Sequence, residues 1–86
     1  MTSPLGTVRA GSAAAAWLAA FALGLAYSQR PEAELLCELR AVAADRPWLL
    51  GDARRRLVDC QVAEPRICHE AVRLLELADL PTPVAC

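Results

Sequence analysis

The sequence predicts an all-α protein: an N-terminal apolar helix, acting as signal peptide or membrane anchor, then a small three-helix unit stapled by disulfides. Three observations predict it. Past residue 30, apolar residues recur at helical spacing, with no strict alternation, little β-branching and no hairpin dipeptide. The segment before residue 30 contains a long run without charge. Four cysteines, an even number, stand in a chain of only 86 residues.

Composition bounds what such a chain can do. Hydrophobic residues make up 56% but aromatics only 5%, so a core must be built from Ala, Leu and Val, which bury little area each. A core of this size supplies only about 3–5 kcal/mol, and staples are expected. The net charge of −1 argues against a nucleic-acid partner, which calls for a basic face. Every acidic residue lies beyond position 29, where ten acids face eight arginines. No electrostatic class of partner is favoured.

Residues 1–29 read as a leader. Met1 to Ser12 is polar with a single charge, Arg9, and Ala13 to Tyr27 carries none. A basic start, an apolar run and small residues at the exit describe a secretory signal peptide. Gly24-Leu25-Ala26 and Ala26-Tyr27-Ser28 offer cleavage points after Ala26 and after Ser28. The rival is a retained transmembrane anchor over residues 11–27, roughly 25 Å of helix and at the lower limit for spanning. Either way the remainder, residues 30–86, is expected to leave the cytoplasm, as a periplasmic, secreted or membrane-anchored domain.

That remainder reads as three helices. Pro31 to Ala44 opens with Pro and two acids in a first turn, and aligns Leu35, Leu36, Leu39, Val42 and Ala43 on one face. Asp45 is an N-cap candidate for a second helix to about Ala63, irregular near Gly51, with Asp52 as alternative cap. Its inward face is Leu50, Ala53, Leu57 and Cys60. A third helix runs from Pro65 to Asp79 with Ile67, Cys68, Ala71, Leu74, Leu75 and Ala78 inward. Pro81 and Pro83 stop it and leave an extended tail ending at Cys86. Trp48, beside Leu49 and Leu50 at a helix start, is expected to plug the core, with an interface role as the alternative. Arg54 to Arg56 fan around the helix and read as a solvated face.

The chemistry is concentrated in Cys60 to Val72, "CQVAEPRICHEAV". A c-type haem needs C-x-x-C-H, and Cys60 stands too far from Cys68-His69. Zinc favours closely spaced pairs, which Cys37, Cys60, Cys68 and His69 do not form. Cys68 and His69, adjacent on one helix, point about 100° apart, which aims a nucleophilic couple poorly. Disulfides remain: the number is even, the domain small, the leader export-like. Cys60 and Cys68 flank the turn at Glu64-Pro65, which favours Cys60–Cys68 with Cys37–Cys86. Cys37–Cys60 with Cys68–Cys86, and Cys37–Cys68 with Cys60–Cys86, stay open.

No Ser/His/Asp constellation, phosphate loop or cofactor motif is legible, so the sequence predicts neither an enzyme nor a cofactor, and no resident metal. It predicts an exported helical module that binds another protein, or an accessory subunit of a membrane complex. The alternative is a thiol-based metal or redox carrier using Cys60, Cys68 and His69. A membrane-active peptide fits less well, because the segment beyond residue 29 is acidic rather than cationic.

Overall fold

The computed structural model describes residues 3–58, 60, 64–81 and 86, with side chains from residue 13 onward. Four helices make up the fold: α1 (Ser3–Tyr27), α2 (Glu32–Val42), α3 (Trp48–Leu57) and α4 (Pro65–Asp79). Among the described residues there is no strand. The last helix, α4, packs against each of the other three, and α1 also packs along α3.

Local chemistry explains most boundaries. Pro31 is extended (φ −57°, ψ 142°), and its carbonyl accepts the backbone N–H groups of Glu34 and Leu35. Glu32 and Glu34 then stand in the first turn of α2 and Arg40 in its last, each matching the charge of its helix end. Pro65 starts α4 at a position where its missing N–H costs nothing.

The second predicted helix differs in three ways. Asp45 does not cap α3. Pro47 holds the N-cap position with helical backbone angles, and the Arg46 N–H closes a turn onto the Ala43 carbonyl at 3.0 Å. The Leu49 N–H in turn reaches the Arg46 carbonyl at 2.9 Å, so an early donor is already satisfied by backbone. Asp45 instead lies beside Arg46. Gly51 sits inside an uninterrupted helix, and Asp52 pairs with Arg55 rather than capping. Finally, α3 ends at Leu57. Cys60 lies past it, its N–H donating to the Leu57 carbonyl at 3.1 Å. The rest of the expected extension to Ala63, and Pro83 in the tail, lie outside the described residues.

The core is aliphatic. Leu18, Leu39, Leu74 and Leu75 are its largest fully buried side chains, and no buried polar or charged side chain occurs among the described residues. On α4 the buried set is Cys68, Ala71, Leu74, Leu75 and Ala78, as the spacing predicts, with Ile67 only half-buried. On α3, Leu49 joins Leu50, Ala53 and Leu57. On α2, Leu35, Leu36 and Leu39 are inward, and Ala43 just beyond the helix is buried, while Val42 turns outward at 37% exposure.

From α1, Ala15, Leu18, Ala19, Ala22 and Leu25 enter the same core. They recur at intervals of three or four, one face of a helix. The opposite face, Ala13, Ala16, Trp17, Ala20, Gly24 and Tyr27, is exposed. It is built mainly from small residues, so the uncharged stretch of α1 from Ala13 to Tyr27 can present it to solvent while uncovering little apolar area. Among the described residues no helix is long and apolar enough to cross a membrane.

Candidate functional site: two hollows and two disulfides

Both disulfides form. Cys37 joins Cys86, with Cα atoms 5.8 Å apart, and Cys60 joins Cys68, at 6.3 Å. Both separations fall within the Cα–Cα range at which disulfides occur. The first ties α2 to the C-terminal end of the chain across a sequence separation of 49; the second closes the α3–α4 connection across 8. Of the three pairings left open by spacing, this is the one that staples the turn at Glu64-Pro65.

The Cys60–Cys68 bridge borders a hollow of about 280 Å³ lined by Leu57, Val58, Cys60, Pro65, Cys68, His69 and Val72. The fold therefore brings together Cys60, Cys68 and His69, the three residues of the carrier alternative. Cys68 is 7% exposed, Cys60 half-buried and His69 exposed. Disulfide sulfurs are not thiolates, so in this state none of the four cysteines is the anionic ligand that zinc takes from cysteine. Among the described residues no cluster of three or more His, Cys, Asp or Glu side chains could hold a metal ion.

A second hollow, about 170 Å³, opens between α1 and the α2–α3 connection. Ala14, Trp17 and Leu18 form one wall, Val42 and Leu49 the other, and Asp45 and Arg46 sit at the connection. Trp17 is 56% exposed and stacks on Phe21, ring centroids 5.4 Å apart and 6° from parallel. Trp48 does not plug the core. Leu49 and Leu50 take the inward positions at the start of α3, and the indole is left 62% exposed, one residue from the wall of this hollow.

Charged side chains work as struts between helices. Arg73 on α4 donates to Glu70 on its own helix and to Glu32 on α2, each at 2.6 Å. The hydrogen bonds from Arg73 hold the Glu70 carboxyl below its ordinary range, against a smaller opposing effect of burial. The same pairing raises the Arg73 guanidinium above an already high value. Arg30 pairs with Glu34 and Glu38. Within the Arg54–Arg56 run, Arg54 reaches Glu76 of α4 at 3.5 Å and Arg55 pairs with Asp52 of its own helix, so two of the three are engaged on a solvated face.

One structural residue escapes sequence reasoning. Arg40 of α2 reaches across to the end of α4, its Nε donating to the Ala78 carbonyl at 3.1 Å and its Nη2 to the Leu80 carbonyl at 2.6 Å. The last turn of α4 has no basic residue of its own. A helix end lacking its own cation is the signal that a donor must come from elsewhere. Which arginine supplies it depends on tertiary geometry.

The chain matches no known family model, and neither the curated proteins nor the solved structures include one similar to it.

Proposed function

We propose that this protein is a non-enzymatic helical module that binds another protein in a compartment oxidising enough to keep its two disulfides. The single observation that carries this reading is the exposed aromatic face around the smaller hollow. Two of the chain's four aromatic residues are tryptophans, and both are more than half exposed, Trp17 lining that opening and Trp48 next in sequence to Leu49 of its wall. Trp is costly to leave in water and is enriched among residues that dominate interfaces. The apolar floor of Ala14, Leu18 and Leu49 and the charged rim of Asp45 and Arg46 follow the interface pattern of apolar centre and polar edge. The partner is a protein inserting an apolar side chain into this opening.

The disulfides support the compartment. Such bridges persist in oxidising surroundings and are rare where glutathione and thioredoxin keep thiols reduced. In this proposal α1 is kept rather than cleaved, because removal after Ala26 or Ser28 would take Leu18, Ala22 and Leu25 from the core and Trp17 from the binding face.

The test is photo-crosslinking in the producing cell, with a photoreactive residue at position 45 of the full-length chain. A discrete adduct with one protein is expected, lost in the Trp17→Ala/Trp48→Ala double variant. Because Trp48 is exposed, its loss should change stability by no more than about 0.5 kcal/mol, and loss of Trp17 should cost about 0.5–1.5 kcal/mol, the worth of its stack on Phe21. An adduct unaffected by the double substitution overturns the assigned face. A native mass that begins at Tyr27 or Gln29 overturns the retention of α1.

A further inference from the structure

We infer that Cys60–Cys68 is an exchangeable disulfide, open to a small dithiol in the folded protein, whereas Cys37–Cys86 is structural. This goes beyond the binding face and rests on a different part of the molecule. Three observations carry it. The bridge borders a hollow of about 280 Å³, which gives a thiol room to approach. Its two sulfurs are unequal: Cys60 is half-buried beyond the end of α3, whereas Cys68 is 7% exposed in the first turn of α4. Finally, the bridge closes a connection of only 8 residues' separation at one end of the helices. The buried residues Ala71, Leu74, Leu75 and Ala78 continue along α4 away from it, so the packing of α4 does not run through the bridge.

A dithiol in its monothiolate form attacks the Cys60 sulfur, and the Cys60–Cys68 bond breaks. The electron pair leaves on Cys68, which departs as the thiolate. The second thiol of the dithiol loses its proton to solvent and attacks its own mixed disulfide, releasing Cys60 as a thiolate. The protein has then gained two electrons, and the dithiol has become a cyclic disulfide. His69, exposed on the same hollow, is a wall residue here and receives no proton in the scheme.

Limited reduction of the full-length protein tests this. Native protein is treated with sub-saturating dithiothreitol at neutral pH, quenched with acid, alkylated and mapped by mass, with helical circular dichroism followed in parallel. The expected result is a species alkylated at Cys60 and Cys68, with Cys37–Cys86 intact and helicity unchanged. Labelling of Cys60 and Cys68 only together with loss of helicity, or of Cys37 and Cys86 before them, overturns the inference.

A second arm uses single variants and glutathione disulfide as probe. Cys68→Ser leaves the Cys60 thiol on the hollow and should form a mixed disulfide several-fold faster than Cys60→Ser, which leaves the buried Cys68 thiol. Equal rates would overturn the assignment of Cys60 as the sulfur attacked.

Discussion

Arg40 shows how much a single side chain contributes when it meets a need left by another helix. Its guanidinium donates to carbonyls at the end of α4 that have no intrahelical partner. Charge-assisted bonds of this kind contribute roughly 1.5–3 kcal/mol each to stability, and partial exposure lowers that. Arg40→Ala should therefore destabilise the protein by about 1–2 kcal/mol, and Arg40→Lys should recover only part, since an ammonium cannot fork between two carbonyls. Chemical denaturation midpoints check both variants. Trp48 gives the opposite lesson. Its hydrophobicity, read alone, places it inside, but Leu49 and Leu50 compete for the same inward positions and the turn at Arg46 fixes which residues win. Such contests are decided by the entry angle of the chain, which no local pattern encodes. The disulfide at Cys60–Cys68 was legible because a short turn with Pro65 at a helix start leaves little choice of partner.

Between elements, the strut from Arg73 to Glu70 and Glu32 ties α4 to α2. Glu70 has its folded-state ionisation depressed, so its contribution is fully present above the unfolded value of about 4.3 and is lost as pH falls through the lower folded value. The group is 39% exposed in its side chain, which limits the effect to well under about 1 kcal/mol. Arg73→Gln should lower stability slightly at pH 7, and the gap from the parent should close on acidification below about pH 4. A gap that stays constant down to pH 2 would show that Arg73 acts through packing alone. The helices themselves follow from residue spacing: apart from Val42, which turns outward, and Ile67, which is half-buried, the inward faces of α2 and α4 are those the 3.6-residue period predicts, and α4 keeps its predicted ends at Pro65 and Asp79. The end of α3 was not legible, because nothing between Leu57 and Pro65 is a strong helix breaker. The contribution of α1 to the core was equally hidden, since an Ala-rich face serves a leader, a membrane or a neighbouring helix alike.

For the molecule as a whole, a small aliphatic core and two covalent bridges share the task of holding four helices together. In the chain-entropy model a bridge across 49 residues constrains the unfolded chain by about 4 kcal/mol and one across 8 by about 2.5 kcal/mol. A core of this size supplies a similar amount, about 3–5 kcal/mol. Cys37→Ser should thus lower stability more than Cys60→Ser, by roughly 1–2 kcal/mol in denaturation midpoints corrected for slope. The ranking follows from loop length and not from burial, because Cys86 is exposed while Cys68 is buried. The most direct test of this covalent account is the helical circular dichroism melting curve of the full-length protein, recorded with and without enough reductant to open both bridges. The account predicts that full reduction lowers the melting temperature by tens of degrees or abolishes the cooperative transition, since the bridges and the core are of similar weight. A melting curve unchanged by complete reduction would contradict it.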